Sequence, residues 1–291
     1  MNDSATKQVK ATIASDFTKK SDDELAVLLA HADWRVRLEA QYTLAERGEA
    51  GITEFTAAAA SDNILARRHA VWGLGQIARH QPKALVALRP LLTSPDAEVR
   101  AQAASVLGDL RDAASAEALV KALADSAPRV KFFAAQALGK LKYAAATPAL
   151  LAEVRANNNA DAYLRHAFVM GLVGCATPAE LVATAQDDSG AARLAAVLAL
   201  RRRHDAGVTA FLADADRAIV REAVEAINDA PIASAYPAIA AFVAKPVDDE
   251  PIMLRALNAT FRLGGGEQAA ALAAFAARDG SPVLRAEALR R

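Results

Sequence analysis

One recurring frame leaves few folds open to this chain. It is clearest at Asp125-Ser-Ala-Pro-Arg-Val-Lys-Phe-Phe-Ala-Ala-Gln-Ala-Leu-Gly139. An Asp-bearing turn leads to a proline at a helix start, and Val130, Ala134 and Leu138 then follow four residues apart. That spacing puts the three on one face of a helix. Lys131 follows the first of them, and a basic residue recurs in this place as Arg37, Arg67, Arg100, Lys131, Arg165, Arg193, Arg221, Arg255 and Arg285. The intervals of roughly 28 to 34 residues are those of a two-helix repeat. Each such unit buries its apolar face only against its neighbours, so the repeats must stack.

The pattern predicts an all-α fold of about nine helical hairpins, an α-α superhelix. Residues 1–20 read as a leading helix or cap and 21–291 as the solenoid, where Ser21 and Glu24 form a capping box. The arms are 22–31 with 34–47, 52–60 with 64–79, 84–93 with 97–110, 116–124 with 128–141, and 147–156 with 162–173. They continue as 178–186 with 191–203, 208–212 with 217–228, 234–244 with 251–263, and 267–277 with 282–290. Pro128, Pro178, Pro251 and Pro282 fall at helix starts, where a missing amide costs little. Gly48, Gly139 and Gly264 are expected at helix ends in the left-handed conformation.

Composition fits. Apolar residues make up 53% of the 291 but aromatics only 5%, so alanine-rich helices approach closely. Lys plus Arg and Asp plus Glu both number 34, a balance that argues against a general nucleic-acid grip or an acidic-membrane anchor. One cysteine, Cys175, excludes an internal disulfide and a thiolate cage. No apolar run is long enough to span a bilayer, and the first residues carry no signal-peptide apolar core.

The frame Asp-x-x-Val-Arg-x-x-Ala-x-x-x-Leu-Gly resembles that of HEAT repeats, helical-hairpin solenoids that bind large partners. The resemblance covers about residues 21–291. A narrower one is carried by Ala32-Asp-Trp-Arg-Val-Arg-Leu-Glu-Ala-Gln41, Ala127 through Lys140, Tyr163-Leu-Arg-His-Ala167 onward, Ile227-Asn-Asp-Ala-Pro-Ile232, and Ala256-Leu-Asn-Ala-Thr-Phe-Arg-Leu-Gly264. These are similar to the HEAT segment of bacterial multidomain proteins that join a sugar-dehydrogenase-like propeller to a c-type cytochrome. This chain has neither a propeller pattern nor a Cys-x-x-Cys-His haem site. The resemblance implies a scaffold within a longer, periplasmic protein; a free-standing adaptor would be cytoplasmic. The apolar run 269–277 lacks the polar outer face of a terminal repeat, so either a longer protein continues here or something packs against this end.

Catalytic constellations are not found. The histidines are His31, His69, His80, His166 and His204; none forms a His-Glu pair or a His-x-x-x-His zinc pair. His166 and Met170, four apart on one helix, cannot clamp opposite faces of one haem iron. There is no Gly-x-Ser-x-Gly and no Walker loop; Gly264-Gly-Gly266 reads as a linker. Asn2-Asp-Ser4 and Asn258-Ala-Thr260 match the glycosylation pattern by chance, and Arg201-Arg-Arg203 is a solvated helix end. No cofactor, no metal and no enzyme activity are expected of this chain.

The nine basic residues are read as a structural ladder, with turn carboxylates Asp33, Asp62, Asp96, Asp125, Asp188, Asp216 and Asp279 nearby. Counting from the first aliphatic residue of each second helix, offsets two and six face away from the core. They hold Leu38 and Tyr42, Arg68 and Trp72, Ala101 and Ser105, Phe132 and Gln136, His166 and Met170, Leu194 and Leu198, Glu222 and Ala226, and Ala256 and Thr260. Aromatic and apolar residues on an outward face mark a partner surface. The expected wall is Leu38, Tyr42, Arg68, Trp72, Phe132, His166 and Met170, taking a protein or a neighbouring domain, with no nucleic acid and no membrane insertion. A second class stays open: a tetrapyrrole lyase-like protein with a pigment in the wall and a carboxylate or Cys175 for the chemistry.

Overall fold

A computed structural model describes residues 4–278 and 280–291. The pattern beginning at Asn2 and the turn carboxylate Asp279 lie outside the described residues. The chain divides into two compact units, 1–149 and 150–291.

In the first unit, α1 (Ser4–Ala14) precedes α2 (Asp22–Leu28), α3 (Trp34–Glu46), α4 (Glu49–Ala59) and α5 (Ile64–Ala78). Then come α6 (Leu85–Leu88), α7 (Ala97–Asp109), α8 (Ala116–Ala122) and α9 (Pro128–Leu141). Helix α10 (Thr147–Asn157) crosses the division. The second unit holds α11 (Ala162–Cys175), α12 (Pro178–Ala183), α13 (Gly190–Arg202) and α14 (Arg217–Asp229). It ends with α15 (Tyr236–Ala244), α16 (Glu250–Leu263), α17 (Gly266–Ala276) and α18 (Pro282–Arg290). Among the described residues, three first arms depart from a regular α-helix, one of them α12, which tightens to 3₁₀ over Thr184–Gln186. Pro90 ends α6 in a 3₁₀ stretch, Arg89–Thr93, and Ala206–Phe211 is 3₁₀ throughout.

Caps fix where each second helix starts, and the starts fix the core. Side chains of Asp33, Asn63, Asp96, Asp161, Ser189, Asp216, Asp249 and Ser281 cap the first turns. Three, seven and eleven residues past the cap, the face is buried: Val36, Ala40 and Leu44; Val99, Ala103 and Leu107; Val130, Ala134 and Leu138. The same places in α14 and α16 hold Ile219, Ala223 and Ile227, and Ile252, Ala256 and Thr260, all buried. The small residue in the middle lets the first arm come close.

The sequence frame starts α14 at Val220 and α16 at Leu254, one and two residues late. Ala226, Ala256 and Thr260 are therefore buried, not outward. Arg221 and Arg255 likewise fall five and six residues past their caps, where the other seven basic residues fall at four. The aligned places hold Val220 and Met253, whose amides bond to Asp216 O and Asp249 O. Gly139, expected at a helix end, lies inside α9; the left-handed residue closing that helix is Lys142, at φ 55°.

Candidate interaction surface

The basic residues do two jobs, set by what lies within reach. Arg37, Arg67, Arg100 and Arg193 each donate Nη1 to the carbonyl six residues earlier, at 2.6 to 2.8 Å. Each thereby ties its helix to the turn that precedes it. The second job links repeats. The residue two before a cap accepts the cap's amide through its side chain, as Asp125, Asp187 and Asp214 do. Arg100 forks onto Asp125 at 2.7 and 2.8 Å, and Arg193 onto Asp214 at 2.7 and 3.2 Å. Asp216, named as a ladder partner from sequence, is instead the α14 cap. Arg221 reaches Asp249 at 2.7 Å, while Arg255, out of register, turns back to Glu225 and Asp229. Arg165 makes neither contact. The carboxylate in its place, Asp187, is held by Arg155 at 2.5 Å. Lys131 has further partners, and Arg285 donates weakly to Arg278 O at 3.5 Å.

In the first unit, Tyr42 and Trp72 stand on α3 and α5 with 45% and 37% of their surface exposed, enough for a partner to cover. Tyr42 lines a cavity of about 570 Å³ that also holds Glu39, Glu46, Gln76, Arg79 and His80. Trp72 lines a second, of about 400 Å³, with Val106 and Asp109. Gln76 and Arg79 border both, so the two form one trough across α3, α5 and α7. Leu38, Arg68 and Phe132 are half-buried and border neither cavity. Phe132 packs edge-on against Phe133, which lies under Arg129.

A buried network fixes the trough wall. Arg37 Nε donates to His69 Nε2 at 3.1 Å, so Nδ1 carries the proton and donates to Gln41 Oε1 at 2.7 Å. Gln41 Nε2 then donates to Gln76 Oε1 at 3.0 Å. Burial, with help from Arg37, pushes the His69 pKa down to about 4. Trp72 stacks edge-on over His69, ring centres 5.2 Å apart, and donates to Gln102 Oε1 at 3.1 Å. Sequence reasoning missed Gln41, His69 and Gln76. They sit at helical positions where polar residues read as surface, and their partners lie 28 to 35 residues away.

His166 and Met170 belong to α11 in the second unit; His166 is exposed and Met170 half-buried. His166 lines a separate cavity of about 550 Å³. Cys175 is buried at the end of α11. Among the described residues, no group of three or more His, Cys, Asp or Glu is arranged for a metal ion, and no helix is long and apolar enough to cross a membrane.

Comparison with known proteins supports the class. Residues 86–173 match the family model of HEAT repeats. No curated protein sequence matches the chain. Among solved structures, the YibA protein of Escherichia coli is 20% identical, with a TM-score of 0.50 over 90% of this chain and 99% of that one. An engineered protein is 20% identical with a TM-score of 0.44, over 100% of this chain and 95% of that one. The CpcE–CpcF complex of the Nostoc phycocyanin lyase is also 20% identical, with a TM-score of 0.44 over 77% and 92%. The fold class is the all-α superhelix of HEAT-type hairpins.

Proposed function

We propose that the chain is a non-catalytic protein-binding scaffold that receives its partner in the trough beside Tyr42 and Trp72. One observation carries this reading: two exposed aromatic side chains border one trough, and a buried network holds Trp72 in a set orientation. A held aromatic loses little rotamer freedom when covered, which is what an interface anchor needs. The trough walls carry both signs with an acidic excess, Glu39, Glu46 and Asp109 against Arg79. That suits a protein surface better than a polyanion.

In its finer form, the scaffold spaces a dehydrogenase module from a c-type cytochrome module. This rests on the stretches quoted above, and the coding sequence on either side of residues 1–291 tests it. The pigment-holding class gains no exposed thiol, because Cys175 is 5% exposed. For the scaffold itself, partners recovered on wild-type protein are titrated against Trp72→Ala. The variant should bind more weakly by over about 1 kcal/mol without unfolding the domain. Equal affinity would remove the trough from the interface.

A further inference from the structure

The cavity on the second unit differs from the others in charge. Its rim holds Arg165, His166, Arg201, Arg202 and His204, and its lining contains no carboxylate. The trough on the first unit mixes both signs, as does the cavity beside α18, where Asp248, Asp249 and Glu250 face Arg278 and Arg285. In a chain with equal numbers of acidic and basic residues, this is a local excess.

The excess has identifiable causes. Arg165 stands where the ladder places a cation against Asp187, but Arg155 occupies that carboxylate. Arg201 is paired with Glu222 at 2.7 Å. Among the described residues, neither Arg165 nor Arg202 has a carboxylate within ion-pair distance. His204 sits in the left-handed conformation at φ 53°, and its Nδ1 bonds to Ala230 O at 2.7 Å, holding the ring at the rim. Opposing this are the C-terminal ends of α13 and α14, each worth about half a negative charge. The two unpaired guanidinium groups exceed that together.

Shape narrows the ligand. The lining runs along α11 from Ala162 to Val169, about 10 Å at 1.5 Å per residue, then crosses to α13 and the end of α14. A single small anion would touch one end of such a trough. Val169 and Leu198 give it an apolar floor that suits the aliphatic stems of side chains. A nucleic acid would need cations at many successive phosphates, and the charge balance of the chain does not supply them.

We infer that this cavity is a docking site for an acidic peptide segment of a protein partner, with Arg165 and Arg202 as its principal cations. The inference takes only the kind of ligand from the scaffold reading. Its site is separate from the trough beside Trp72, so either can fail alone. The test is fluorescence anisotropy of a dye-labelled hexaglutamate peptide with the full chain at low ionic strength. Wild-type protein should bind it, and high salt should release it. Arg165→Gln with Arg202→Gln should weaken binding about tenfold while leaving the melting temperature unchanged. Arg202→Glu, at an exposed site, provides a second variant with the same expected loss. Lys121→Gln, at an exposed position of the other unit away from the trough, should bind like wild type. No binding at low salt, or equal binding by the double variant, would overturn the proposal. So would pyrophosphate displacing the peptide at matched charge and ionic strength, which would mark a small-anion site.

Discussion

At the scale of single residues, His69 is where the structure departs most from what a reader of the sequence would weigh. It is one of five histidines and has no neighbour in sequence that flags it. In the fold it accepts from Arg37, donates to Gln41 and lies beneath Trp72. Its pKa of about 4 lies below the ordinary 6.5, so the unfolded chain binds the proton more readily. The linked stability is complete above about pH 6.5 and is lost as pH falls toward 4, up to about 3 kcal/mol in all. The melting temperature should therefore drop between pH 7 and pH 4.5, and His69→Gln should flatten that slope. An equally steep slope in the variant would mean that other groups carry the proton linkage. Carboxylates held low by arginines, such as Asp125 and Asp187, act below this window. Tyr42 and Trp72, by contrast, were legible, because an apolar residue in an outward helical position stands out from sequence alone. Gln41 and Gln76 were not, since a buried polar residue looks like a surface one until its partner is placed.

At the scale of elements, the helices and their starts were largely readable, and the ends less so. Ser21 and Glu24 exchange both capping-box bonds, at 2.7 and 3.2 Å, where the sequence motif puts them. Thr177 and Glu180 form a second such box at the start of α12. Helix ends are less legible because glycine is a preference there and not a requirement. The α9 end uses Lys142 at φ 55°, with Tyr143 N bonded back to Leu138 O at 3.3 Å. A side chain in that region costs about 1–2 kcal/mol. Lys142→Gly should raise stability by about 0.5–1 kcal/mol after the greater freedom of glycine in the unfolded chain is counted. Denaturant midpoints measure this directly, and a lowered midpoint would mean the lysine makes compensating contacts. Gly73 shows the opposite demand. A Cβ there would lie 2.1 Å from the ring of Phe55, which is fully buried. Gly73→Ala should lose about 1–3 kcal/mol through overpacking where α4 meets α5.

At the scale of the whole molecule, stability in a stack of repeats is a sum of unit terms and nearest-neighbour terms. The arginine ladder contributes to the neighbour terms, but unevenly. Nine basic residues share one sequence frame, yet their partners depend on the N-cap register and on which carboxylates are already engaged. Sequence spacing recorded the first only to within one or two residues, and the second not at all. Arg100 and Arg165 make the contrast testable, since both sit four residues past an aspartate cap. Arg100 is largely covered and forks onto an equally covered Asp125, with side chains 16% and 13% exposed. Removing it strands a carboxylate that still accepts the Ala127 amide at 2.8 Å. Arg100→Ala should lower stability by about 1–3 kcal/mol and leave partner affinity at the trough unchanged. Arg165→Ala, with no carboxylate to strand, should change stability by less than about 0.5 kcal/mol. A double-mutant cycle with Asp125→Asn, which keeps the acceptor for Ala127, isolates the pair. Coupling near zero would mean that Arg100 acts through its bonds to Ser94 O and Pro95 O. Substantial coupling would locate an inter-repeat bond in Arg100 and leave Arg165 free for binding.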